Sequence, residues 1–289
     1  MKKLAAITFT AILSIGVAAS SAMAQAESDA LRRWDESVDA LLRRVSPSVV
    51  QIMVTGYGAI SEGDRGNAGV VIGKQKAIGS GFVIDASGYI LTNAHVVKML
   101  DQELKYNIAS KGLTELVGGD IASVEKAIGF KLSAEYENRL ANAIFPIYAR
   151  YMTMGTPITT SEVYMGVAVP GVGTVQKGIP CEIKRVGEPS PGKDVAILKI
   201  NANNLPTLSL GDDKLVRDGD QAVALGYPGV ATFNAMLAQT ESNIKPSLTV
   251  GSISARKTMP GGWDVLQTDT AITHGNSGGP LFNNKGEPA

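Results

Sequence analysis

Short runs of β-branched and apolar residues, each ended by Gly, Pro, Asn or Asp, recur along most of this chain. Eight such runs are predicted to be strands, at residues 49–54, 81–92, 163–169, 181–186, 195–200, 221–227, 248–255 and 265–268. The turn Asp85-Ala86-Ser87-Gly88 divides 81–92 into a hairpin. With 32 Gly and 13 Pro in 289 residues, this pattern favours an all-β sandwich or barrel over a helical bundle.

Two segments depart from the strand pattern and are predicted to be helical. Apolar residues at three- and four-residue spacing predict a helix over 28–45, ending before Pro47, within an N-terminal helical segment 25–46. A helical insertion is predicted at about 101–154, with an apolar stripe along 134–151 that Pro146 is expected to kink or divide. The insertion is either a decoration beside the functional site, or a lid or partner-docking element.

The first residues have the pattern of an export signal. Lys2 and Lys3 precede a mostly apolar run at 4–19, and Ala22-Met23-Ala24 has the small-x-small pattern that signal peptidase accepts. The run is short of the roughly 20 residues that span a bilayer. We therefore expect a signal peptide at 1–24, cut after Ala24, and a periplasmic or secreted protein without a stable membrane anchor.

Charge and composition exclude several classes of partner and cofactor. Lys+Arg and Asp+Glu are both 27, so nothing indicates binding to nucleic acid. A single cysteine, Cys181, excludes an intramolecular disulfide, and we expect it to be a small buried hydrophobe. Two histidines alone cannot form a structural zinc site.

Three short stretches contain residues suited to catalysis. His95 follows a predicted strand in TNAHVV, where it is either a structural histidine or a general base. Asp194 directly precedes the strand in KDVAILKI, a place where aspartate is often only a turn residue. Ser277 lies in GNSGGPL, where flanking glycines allow a tight turn with an exposed hydroxyl and convergent N–H groups.

Taken together, four stretches resemble the trypsin-like serine peptidases, and within them the bacterial high-temperature-requirement (HtrA/Deg) type: SGFVIDASGYILTNAHVV, KDVAILKI, VGSISA and LQTDTAITHGNSGGPLFNNKGE. The resemblance implies two antiparallel β-barrels of chymotrypsin/trypsin type, the first at 47–204 with the helical insertion and the second at 205–289. The sequence stops at Ala289, twelve residues after Ser277. We therefore expect the second barrel to be incomplete at its C-terminus, and no PDZ domain.

The resemblance also implies an exported serine endopeptidase that hydrolyses peptide bonds through an acyl-enzyme, acting on unfolded or damaged envelope proteins. Ser277 would be the nucleophile, His95 its general base and Asp194 the residue that orients the histidine. The backbone N–H groups of Gly275 and Ser277 would form the oxyanion hole. No cofactor is required for this chemistry.

Substrate preference and partners follow from the same resemblance. Ala271 would line the primary specificity pocket, which predicts small or medium aliphatic side chains instead of Lys or Arg. His274 is expected to be a solvent-facing loop residue. Polypeptide substrates are the expected partners, and a homo-oligomer is left open. A non-catalytic peptide-binding or scaffold protein is the alternative function, and a signal-anchored structural helix protein is a weaker third.

Overall fold

The computed structural model describes residues 38–62, 70–98, 101–166, 178–229 and 244–283. The predicted signal peptide and most of the predicted N-terminal helix lie outside these residues. The strands are β1 (Val49–Glu62), β2 (Val70–Asp85), β3 (Tyr89–Thr92), β4 (Met152–Met154), β5 (Ile158–Met165), β6 (Ile179–Val186), β7 (Ala196–Ile200), β8 (Gln221–Gly226), β9 (Ser247–Thr258), β10 (Asp264–Thr268) and β11 (Leu281–Phe282). The helices are α1 (residues 38–45), α2 (Ala94–Val97), α3 (Asp101–Ile128) and α4 (Ala134–Tyr151).

Six strands close into the first barrel. The sheet order is β2-β3-β7-β6-β5-β1-β4, and β1 also pairs antiparallel with β2 along its length, which closes the ring. Alternate residues of β1, namely Val50, Ile52 and Val54, are fully buried in the barrel core. The intervening residues Val49, Gln51 and Met53 are buried as well, so both faces of this strand are covered, since successive side chains point to opposite faces of a sheet.

The second sheet has four strands among the described residues, in the order β10-β9-β8-β11. Its antiparallel pairings run from Gln221↔Ser252 to Gly226↔Ser247 between β8 and β9. The fold is therefore mostly β, with one closed barrel, one helical insertion and a second sheet, as the sequence predicts.

A buried cluster joins the barrel, the second sheet and α1. Val49 and Phe82 come from the barrel, while Leu225 and Tyr227 come from the end of β8. α1 contributes side chains to the same cluster, including Val45, which is 1% exposed. α1 thus has a structural role, which is to cover the junction of the two sheets. Its sequence did not reveal this role.

The insertion begins with a 28-residue helix that packs on the β1–β2 hairpin. Leu104 and Ile108 are 6% and 0% exposed, respectively. They lie over glycines: a Cβ at Gly58 would be 2.8 Å from Ile108 Cγ2, and a Cβ at Gly73 would collide with the Ile108 carbonyl. The absence of side chains at these positions lets α3 approach the strands closely, so the insertion is fixed to the barrel.

α4 continues unbroken through Pro146, so this proline does not divide the helix, while the alternative, a kink there, stays a prediction. Proline removes one backbone hydrogen bond to the residue four positions earlier. That residue, Asn142, is exposed to solvent, where water can satisfy the freed carbonyl. α4 buries none of its own residues, and it is tied to α3 by a 2.7 Å hydrogen bond from the Tyr148 hydroxyl to Asp120.

All eight predicted strand runs contain a strand, and the hairpin at Asp85–Gly88 is confirmed. Several features were not predicted: the second half of β1, the first halves of β2 and β5, the short helix α2, the short strand β4, and β11 after the Ser277 turn. In the part of the chain that the structure describes, no helix is both long and apolar enough to span a membrane.

The packing of α3 predicts opposite effects for two Gly→Ala substitutions. Gly73→Ala should destabilise the protein by about 1–3 kcal/mol, because the new Cβ overpacks the contact with α3. Gly118→Ala should stabilise it by about 0.5–1 kcal/mol, since Gly118 is helical, exposed and has no atom within 4 Å of a Cβ position. Urea unfolding followed by circular dichroism measures both. A Gly73→Ala protein as stable as the parent would contradict this packing.

Burial should make Cys181 unreactive in the folded protein. Its side chain packs against the barrel core, and this burial raises the pKa of the thiol from 9.0 to about 12. At pH 8 the reactive thiolate is therefore about a thousandfold scarcer than in the unfolded chain. We expect iodoacetamide to alkylate the folded protein at least about a hundredfold more slowly than the urea-unfolded protein. Because Cys181 is the only cysteine, the mass increase measured by mass spectrometry reports alkylation of this residue alone. Equal alkylation rates for the folded and unfolded protein would refute the prediction.

Candidate active site

His95 and Asp194, which are 99 residues apart in sequence, are in direct contact. His95 lies on the short helix α2 after β3, and Asp194 lies two residues before β7. Because β3 and β7 are adjacent strands, with Thr92 opposite Ala196, these two segments meet at the same edge of the barrel. The long insertion therefore does not separate the pair.

The Asp194 carboxylate holds the histidine at two points. Its Oδ2 is 2.5 Å from His95 Nδ1, and its Oδ1 accepts a 2.8 Å hydrogen bond from the His95 backbone N–H. The Asn93 side chain donates a 2.6 Å hydrogen bond to the Asp194 carbonyl. A carboxylate only accepts, so this arrangement places a proton on Nδ1 and leaves Nε2 of the neutral ring as an acceptor.

Glycines shape the turn that carries Ser277. Gly275 and Gly278 have φ values of +100° and +84°, in the left-handed region that favours glycine. A Cβ at Gly278 would collide with the Thr92 hydroxyl and the Ser80 carbonyl. The turn can therefore lie directly on the barrel, with Ser277 partly exposed at its surface.

Ser80, on β2, connects this turn to both sheets. Its N–H donates to the Ser277 carbonyl at 2.7 Å, and its hydroxyl donates to the Gly275 carbonyl at 2.7 Å. The same hydroxyl accepts from the Tyr227 N–H at 2.9 Å, and the Thr92 hydroxyl donates to the Ser80 carbonyl at 2.7 Å. Ser80 is 0% exposed. The sequence showed it only as part of a Gly-rich run, because none of these bonds is local.

The Gly275 carbonyl is held by Ser80, and the N–H groups of Gly275 and Ser277 have no hydrogen-bond acceptor among the described residues. Two unengaged donors beside a serine hydroxyl are what an oxyanion hole requires. In the same part of the chain, no group of three or more His, Cys, Asp or Glu could hold a metal ion.

Ser277 and His95 line one cavity of about 710 Å³, although the described hydrogen bonds include none between them. His274 is exposed, as predicted, and it lines the same cavity. Ala271 is also exposed but does not line this cavity. Its assignment to a specificity pocket stays a prediction.

Comparison with known proteins gives consistent matches. Residues 165–288 match the trypsin-like peptidase domain family. A probable periplasmic serine endoprotease, DegP-like, from Halomonas elongata is 30% identical over 218 residues, which are 74% of this chain and 28% of that protein. The DegP-like protein of Pseudomonas putida is 28% identical over 216 residues, 73% of this chain and 28% of its own length. The chain thus spans little more than a quarter of the length of each of these relatives.

Among solved structures, the HtrA-type protease AlgW with decapeptide is 20% identical, with a TM-score of 0.47, over 86% of this chain and 56% of that one. The assignment of this chain to a family rests on the sequence matches, together with the barrel and the second sheet described above. This chain contains a trypsin-like peptidase domain and is a member of the family to which the DegP-like and HtrA-type serine proteases belong.

Proposed function

We propose that this chain is the catalytic part of an exported serine endopeptidase. The proposal rests on the two contacts of the Asp194 carboxylate with His95, one to the ring and one to the backbone N–H. They lie beside a cavity that Ser277 also lines. A hydroxyl is a poor nucleophile at neutral pH unless a base takes its proton. The arrangement supplies a neutral imidazole, oriented by a carboxylate, for that purpose.

In this mechanism Ser277 Oγ attacks the peptide carbonyl while His95 Nε2 takes its proton. The hydrogen bond between these two groups, which is absent from the described contacts, forms as substrate binds, since catalytic hydrogen bonds commonly tighten only then. Asp194 stabilises the imidazolium that results. The N–H groups of Gly275 and Ser277 stabilise the oxyanion, and His95 then gives its proton to the departing amine, leaving an acyl-enzyme that water hydrolyses.

The names of the relatives support a periplasmic location and polypeptide substrates. We propose unfolded or damaged envelope proteins as those substrates, with small or medium aliphatic residues before the scissile bond in a pocket that includes Ala271. The predicted signal peptide at 1–24 would direct the export. A non-catalytic peptide-binding protein is the outcome if the test below fails.

Labelling with a fluorescent fluorophosphonate tests the nucleophile directly. We expect the purified protein to be labelled in a 1:1 ratio and Ser277→Ala to remove the labelling. Asp194→Asn should reduce peptide hydrolysis by about four orders of magnitude, because the histidine loses its tautomer and orientation. Ser87→Ala is the matched serine control and should keep full activity, because Ser87 is half-buried in the Asp85–Gly88 turn and does not line the cavity. A folded parent protein that is not labelled would rule out the peptidase.

Ser80→Ala tests how the oxyanion turn is held. Its loss leaves the buried Gly275 carbonyl and Tyr227 N–H without their partner, which should cost about 1–3 kcal/mol of stability. We also expect kcat to fall by about tenfold or more with KM little changed, because the Gly275 peptide can then rotate away from the oxyanion. Steady-state kinetics well below the unfolding temperature separates the two effects. An unchanged kcat in a destabilised protein would show that Ser80 has only a structural role.

A further inference from the structure

The cavity beside Ser277 is bounded on one side by the insertion. Leu104 and Asn107 of α3 line it together with His95 and Ser277, and Ile78 of β2 lines its floor. The insertion is therefore part of the cleft, and not a decoration away from the site. Leu104 and Ile108 are buried over the glycines of the β1–β2 hairpin, so this wall is packed directly on the barrel.

The position of the cavity identifies which part of a substrate enters it. Its lining includes His95, the residue that protonates the departing amine in the proposed mechanism, and it excludes Ala271, the residue expected beside the acyl half of the substrate. With Ala271 assigned to the acyl half, as the resemblance implies, the cavity is assigned to the leaving-group side of Ser277. The substrate residues that follow the scissile bond would occupy it.

The chemistry of the lining favours an apolar occupant. Ile78 reaches the nucleophile turn, with its Cδ1 atom 3.2 Å from a Cβ position on Gly275. Pro189 adds further apolar surface, and the largely buried side chains of Val96 and Leu104 line the cavity with a small exposed area. Among the charged residues, Lys98 forms a 2.7 Å ion pair with Glu188, while Lys76 and Glu103 have opposite signs. A charged side chain would give up hydration for exposed or half-buried charges of both signs, namely Lys76, Lys98 and Glu103, whereas an apolar one gains buried area.

We infer that α3 and Ile78 form a specificity wall, through which the protein selects an apolar side chain in the first two positions after the scissile bond. The inference rests on the proposed peptidase function and adds a substrate preference that the insertion supplies. A cavity of about 710 Å³ is within the usual range for ligand sites and exceeds what one side chain fills.

Internally quenched peptides that differ only in these two positions test the wall. With the acyl half constant, we expect kcat/KM for Leu-Leu to exceed that for Asp-Asp by at least about tenfold, with mass spectrometry locating the cleaved bond. Asn107→Trp, which places a large side chain in part of the cavity beside Leu104, should reduce this ratio to about threefold or less. Tyr106→Trp is the matched control, because Tyr106 is on the same helical turn but 73% exposed and outside the lining. It should keep the parent ratio.

The possible outcomes distinguish a failure of the specificity wall from a failure of the proposed peptidase function. Ser277-dependent cleavage that is equal for both peptides would overturn the wall and leave the peptidase intact. Absence of any Ser277-dependent cleavage would overturn both. A second measurement does not need Asn107→Trp to fold: a labelled peptide beginning Leu-Leu should bind Ser277→Ala protein at least about tenfold more tightly than one beginning Asp-Asp, by fluorescence anisotropy. Equal affinities would also overturn the wall.

Discussion

The hydrogen bonds of one buried serine hold the site in place. Ser80 uses its N–H, its carbonyl and its hydroxyl to connect β2 to the turn that carries Ser277, to β3 and to the end of β8. Buried polar groups are costly unless each finds a partner. All of these hydrogen bonds can form together only when the two sheets and the turn have one particular relative position. This requirement fixes Ser277 with respect to the barrel that carries His95.

Apolar packing surrounds this polar junction. The cluster that contains Val49, Phe82, Leu225 and Tyr227 lies between the two sheets, and α1 closes it. Tyr227 takes part in both systems, since its N–H donates to Ser80 while its ring is buried and its hydroxyl donates to the Val49 carbonyl. Burial also raises the pKa of this hydroxyl, which keeps it a donor. The hydrophobic cluster and the hydrogen bonds thus favour the same arrangement of the sheets.

The sequence predicted what depends on local pattern. Strand alternation, the Asp85–Gly88 turn and the motifs around His95, Asp194 and Ser277 are all readable within ten residues or so. It did not predict the first half of β2, whose Lys74, Lys76 and Gly73 weaken the strand pattern. Glycines also weaken the helical pattern of α3, since Gly112 lies on its buried face and Gly118 and Gly119 lie on its exposed face. The contacts of Ser80 and the α3 wall could not be predicted, because they join segments distant in sequence.

The compactness of the insertion has a consequence for how the chain folds. Helices form within microseconds from contacts close in sequence, whereas pairing distant strands is slow because a long loop must first be closed. α3 and α4 lie side by side, and β4 directly after them pairs with β1 through Ile60↔Met154. Once this helical hairpin has formed, the path from His95 to Asp194 is effectively much shorter than 99 residues. The insertion thus adds residues between His95 and Asp194 without a proportional increase in the conformational search that brings them together.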